Sequence, residues 1–143
     1  MRRAISAALL AAICLLPLTS QAADKENYLG LGAGYVATDF ADSVGYAFMF
    51  QMQQTDTTAI GFAYHEGDII TLTYKMYTGK YASSVFWEGG VFLDTYNDGV
   101  YPVLAAGTDV RVNDTTRLSL TVGTAFGDGG TAFVARGALM FQF

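Results

Sequence analysis

The chain of 143 residues is 52% hydrophobic and only 15% charged, with 16 glycines, ten Phe, nine Tyr, two prolines and one cysteine. One domain's length, few charges and many aromatics exclude disorder. Eight basic residues against thirteen acidic ones lack the cationic face of a nucleic-acid binder, and a single cysteine excludes a disulfide framework or a zinc site built on several thiolates.

The first element is for targeting. Arg2 and Arg3 precede an apolar run from Ala4 to Leu18, and Thr19-Ser20-Gln21-Ala22-Ala23 follows. A basic n-region, an apolar h-region and small residues at the cut read as a cleaved signal peptide over 1–22. A cut after Ala23 serves nearly as well. The rival is an N-terminal membrane anchor, which would need roughly 20 apolar residues. Cys14 lies inside the run and leaves with the signal. Residues 23–143 then carry six basic and thirteen acidic groups, a net charge of −7.

From Tyr28 onward, turn residues recur in chain order: Asp39–Asp42, Thr55-Asp56, Glu66-Gly67-Asp68, Thr78-Gly79-Lys80, Asn97-Asp98-Gly99, Asn113-Asp114 and Gly127–Gly130. Gly, Asn and Asp tolerate hairpin backbone angles. The turns divide the chain into eight segments with period-two alternation, near 28–37, 43–53, 57–65, 68–77, 80–94, 99–112, 115–126 and 131–143. One face is large, aromatic and free of charge, as in Leu29, Leu31, Tyr35; Tyr46, Phe48, Phe50; Tyr81, Val85, Trp87; Leu139, Phe141, Phe143. The other is mostly Gly, Ala, Ser and Thr with a few charges.

The second face decides which way the sheet turns. A water-facing surface normally carries many Lys and Glu, whereas small residues and sparse charges suit a crowded interior. The apolar face then meets lipid, with Tyr and Trp near strand ends as interfacial girdles. Hydrocarbon offers an open sheet edge no partner, so the sheet must close. The expected fold is all-β: an eight-stranded antiparallel up-and-down transmembrane β-barrel over 23–143, whose lumen side chains can fill. A soluble lipocalin-like barrel, with its apolar face inward, is the rival. Pro102 falls early in strand six, where a missing donor predicts a late strand start or a bulge.

The chain ends Gly137-Ala-Leu-Met-Phe-Gln-Phe143. These alternating apolar residues, Phe141 and the terminal Phe143 among them, resemble the insertion signal of bacterial outer-membrane barrels. With the signal peptide and eight hairpin-linked strands, 23–143 resembles small outer-membrane proteins of the OmpX and OmpA-barrel type, although its connections are shorter. The resemblance implies a Gram-negative outer membrane and both termini in the periplasm. It also implies contact with outer-membrane lipids and lipopolysaccharide, help from the barrel-assembly machinery during insertion, and a monomer. No cofactor motif is present.

Three constellations bear on function. In the lumen, Lys75, Arg111, Arg117 and Arg136 face Glu88 and Asp109, with Gln51 and Gln53 beside them. Unpartnered buried charges are costly, so the expectation is an ion-pair network that closes the barrel. The alternative is a narrow pore for ions or small solutes, since rings of charge set selectivity. At the outer rim, Asp39, Asp42, Glu66, Asp68, Asp94, Asp98 and Asp128 fall in or beside loops. They read as turn residues, or as carboxylates for a loose divalent-cation site, with Asp39, Asp42, Glu66 and Asp68 the candidates. The lone His65 and Ser43 are the parts of a lipid-modifying hydrolase, set against a rim histidine that binds water. The leading expectation is a structural or surface-interaction protein of the envelope, not an enzyme.

Overall fold

The computed structural model describes residues 26–37, 42–66, 68–95, 98–127 and 130–143. The signal peptide expected over 1–22 lies outside the described residues, as do Asp39 and Asp128 of the rim. Eight strands follow in order: β1 Asn27–Ala37, β2 Asp42–Thr55, β3 Thr58–His65, β4 Ile69–Tyr77, β5 Val85–Asp94, β6 Gly99–Arg111, β7 Thr116–Gly127 and β8 Gly130–Gln142. Each pairs antiparallel with its neighbour in sequence. β1 also pairs with β8, from Tyr28–Gln142 to Ala37–Phe133, which closes the barrel. Both ends of the strand sequence therefore lie at one end of the barrel, the termini end, and the β1–β2, β3–β4, β5–β6 and β7–β8 loops at the other.

Alternation places large apolar side chains on the outer wall, where Leu31 is 65% exposed and Leu104 62%. So much uncovered apolar surface would be unfavourable in water and suits hydrocarbon. Aromatic pairs mark both ends of this wall. Tyr35 with Phe133 and Tyr46 with Tyr64 lie toward the loops, and Phe50 with Phe143 lies at the termini end. Phe141, half exposed, points outward beside them.

A small barrel curves sharply, and glycine permits it. A Cβ on Gly90 would overlap the Leu72 carbonyl oxygen of β4. On the inner face, a Cβ on Gly34 would strike the His65 ring. Small residues on that face give the few large lumen side chains their room.

Two details differ from the sequence expectation. β5 begins at Val85, not near 80, because Thr78 N–H bonds the Val85 carbonyl at 2.9 Å and 79–84 becomes a turn. Tyr81, expected on the outer face, points inward and is 3% exposed. Its hydroxyl donates to the Glu26 carbonyl at 2.9 Å, a partner that lipid could not supply. Pro102 neither delays β6 nor bulges it. It pairs with Val91 of β5, and the β7 ladder begins one residue on, at Val103–Ala125. The missing N–H thus falls where that ladder has not started.

Candidate functional site: the barrel interior and the loop-end rim

Three layers stack along the interior. At the loop end, Val36, Phe92, Val103, Ala125 and Val134 form an apolar cluster, with Ile69, Tyr101 and Ala132 packed against it. Each comes from an inward position near the loop end of its strand.

The middle layer is ionic. Lys75 and Glu88 are direct cross-strand partners on β4 and β5, and Lys75 Nζ lies 3.8 Å from Glu88 Oε2. Arg136 reaches across from β8, and its Nη2 donates to Glu88 Oε1. Thr73 Oγ1 donates to Glu88 Oε2 at 3.1 Å. The carboxylate is fully buried, faces two cations, and accepts hydrogen bonds from Arg136 and Thr73. Arg136 Nη1 donates to Thr71 Oγ1 at 3.2 Å, and Thr71 Oγ1 lies 3.4 Å from His65 Nε2. Lys75 Nζ also sits over the Phe86 ring, 4.1 Å from its centroid, an arrangement in which the ring face attracts the cation.

The termini-end layer is aromatic and polar. Gln51 Nε2 donates to the Tyr77 hydroxyl at 2.7 Å, and Tyr77 donates to Asp109 Oδ2 at 2.6 Å. Arg117 Nε donates to the Tyr28 hydroxyl at 2.7 Å, and Tyr28 donates to Glu26 Oε2 at 2.7 Å. Arg117 Nη2 pairs with Glu26 Oε2 at 3.2 Å, and Nη1 donates to Ser83 Oγ at 3.1 Å. The rings of Tyr28, Tyr77, Tyr81 and Phe86 pack among these groups with Met49 and Met140. Tyr81 lies in the turn outside the strands, and burial pushes its phenol above the usual range.

Of the expected lumen residues, Lys75, Glu88, Asp109, Arg117 and Arg136 are buried inside. Arg111 departs from the expectation. It is the last residue of β6, and its exposed guanidinium pairs with Asp114 at 2.7 Å and donates to the Asn113 carbonyl at 3.3 Å. The lumen anions already have partners: Glu88 has Lys75 and Arg136, Asp109 has Tyr77, and Glu26 has Arg117. Arg111 ends its strand, so its long side chain can turn to Asp114 and water without the cost of burying its charge. Gln53 sits at the mouth, where it accepts from the Glu26 N–H at 2.8 Å. Glu26, Tyr28, Tyr77 and Ser83 were not anticipated in the network. The inward parity of Tyr28 and Tyr77 was the available signal.

At the loop end, Ser43 and His65 are not brought together. His65 pairs with Ala47 of β2, four positions from Ser43, which is roughly 13 Å along a strand. Ser43 is exposed and pairs with Val36, whereas the His65 ring is buried, 2% exposed, beneath Gly34. The reason is register, since β2 runs on past the end of β3. Two of the rim carboxylates make local contacts. Glu66 Oε2 accepts from the Tyr46 N–H at 3.4 Å, and Asp68 Oδ1 accepts from the Tyr64 hydroxyl at 3.2 Å. Asp42 is exposed at the start of β2. Among the described residues, no group of three His, Cys, Asp or Glu side chains could hold a metal ion.

No family model matches the chain, and no curated protein matches it. Solved structures do. The de novo designed TMB2.3 superposes with a TM-score of 0.59 at 10% identity, covering 85% of this chain and 98% of its own. The crystal structure of Ail, the attachment invasion locus protein of Yersinia pestis, gives 0.54 at 9% identity, over 83% of this chain and 97% of Ail. Ail in a phospholipid bilayer nanodisc, described as an outer membrane protein, gives 0.51 at 8% identity, over 84% and 100%. At such identity the likeness is one of fold: a closed eight-stranded antiparallel barrel similar to bacterial outer-membrane barrels.

Proposed function

We propose that the chain is a monomeric outer-membrane protein of a Gram-negative bacterium with a structural role in the envelope or a role in surface interaction, and that its lumen is closed. The observation that carries this reading is the Lys75–Glu88–Arg136 cluster, buried between an apolar layer at the loop end and an aromatic layer at the termini end. Eight strands enclose a lumen that side chains can fill, and here large side chains occupy each level. The charge-free outer wall and its aromatic pairs support a lipid environment of outer-membrane lipid and lipopolysaccharide. Phe141 and Phe143 are the groups offered to the barrel-assembly machinery, with both termini periplasmic. The likeness to Ail, a protein named for attachment and invasion, supports a surface-interaction role. The distance between Ser43 and His65 favours a non-catalytic protein.

Planar-bilayer conductance of the refolded chain tests the reading, with heat-modifiable gel migration as the control for folding. A folded, silent barrel is the expected result. A reproducible single-channel current that changes on Glu88→Gln would overturn it in favour of a narrow pore.

A further inference from the structure

The β4–β5 connection differs from a plain hairpin turn. Residues 78–84 fold into the barrel mouth at the termini end, leaving Tyr81 3% exposed and Ala82 fully buried. The seat is made of a few bonds. Tyr81 N–H donates to the Asp56 carbonyl at 3.2 Å, and its hydroxyl donates to the Glu26 carbonyl. Arg117 donates to Ser83 Oγ. Ala82 holds φ at 52°, a left-handed conformation unfavourable for a residue with a Cβ. The seated turn is thus tethered at its rim and strained at its centre.

Beneath it lies a polar compartment with unmet demand. Gln51, Asp109 and Ser119 are 2%, 4% and 1% exposed. Gln51 Oε1, Asp109 Oδ1 and Ser119 Oγ each lack a protein partner. Asp109 and Ser119 are cross-strand partners on β6 and β7, and Asp109 joins Gln51 through Tyr77. Buried acceptors in this state call for water. The apolar layer around Phe92 bars the loop end, so the turn covers the shorter way in.

We propose that residues 78–84 form a plug that leaves its seat to admit water and small polar solutes from the termini end to the Gln51–Tyr77–Asp109 compartment, while the loop-end layer stays shut. The inference rests on the reading of a closed barrel, and its test separates the two. A Ser119→Cys reporter in a Cys14→Ser chain is placed in nanodiscs, where both mouths meet solvent. Its reaction with a charged methanethiosulfonate is timed. Ser83→Ala and Tyr81→Phe each remove one tether and should raise the labelling rate roughly fivefold or more, with the effects multiplying in the double variant. Phe92→Ala should leave the rate unchanged. Ala138→Cys, at the buried cross-strand partner of Ser119 on β8, serves as the reporter if Ser119→Cys does not fold. Equal rates in the tether variants and the parent would overturn the proposal, as would faster labelling with Phe92→Ala. A through-current from the parent chain would instead defeat the closed-barrel reading beneath it.

Discussion

Replacing Glu88 with Gln removes the one carboxylate shared by Lys75 and Arg136. Both cations are nearly fully buried, at 2% and 4% side-chain exposure, and the Glu88 side chain is wholly buried. The amide keeps the shape and can still accept one hydrogen bond, but the charge is gone. Two cations would then share a site that water does not reach. Breaking a buried ion pair by removing one partner typically costs about 3–5 kcal/mol, because the other charge stays behind desolvated. An exposed pair typically loses about 0–1 kcal/mol. The two ranges do not overlap, so the loss reports whether the middle layer is dry. Urea unfolding in lipid vesicles measures it. The single Trp, Trp87, precedes Glu88 and faces outward at 59% exposure, so its fluorescence follows withdrawal of β5 from lipid. A loss of 3 kcal/mol or more is the expected result. A loss below about 1 kcal/mol would mean solvated charges and would refute the dry, closed middle layer.

Other perturbations test neighbouring steps. Arg111→Ala should change stability by less than about 0.5 kcal/mol in the same assay, because its pair with Asp114 is exposed on both sides. Tyr77→Phe removes the donor to Asp109 Oδ2 and should cost about 1–3 kcal/mol, since Asp109 is buried and its other oxygen has no protein partner. Gly90→Ala drives a methyl into the Leu72 carbonyl and should cost about 1–3 kcal/mol, visible as a lower urea midpoint or as loss of the heat-modifiable band. Deleting Phe143 should slow assembly in cells while leaving the refolded barrel nearly as stable, because its ring is 63% exposed on the outer wall, where it packs against Phe50.

Local chemistry made most of the architecture legible. Side-chain direction alternates along a strand whatever lies opposite, so the two faces, the eight segments and most turns could be read from spacing alone. The low charge of both faces then separated a membrane wall from a soluble one. The inward placement of Lys75, Glu88, Asp109, Arg117 and Arg136 followed from the same parity. The failures came where parity stops. Arg111 has the inward parity but ends its strand, and a long side chain at an end can turn back to Asp114 and water. Tyr81 was placed by extending alternation through a stretch that bends away at Thr78.

Which groups meet was a matter for the closed barrel. Lys75 and Glu88 share a hairpin, so their pairing needed only the length of one turn. Arg136 and Glu88 lie 48 residues apart, and Arg117 and Glu26 lie 91 apart. Those meetings depend on β1 closing onto β8 and on the stagger of every register between. The separation of Ser43 from His65 has the same origin: β2 outruns β3, and one end of a strand cannot know how long its neighbour is. Periodicity is a property of each strand alone, whereas the interior is a sum over eight registers that exists only once the sheet has closed.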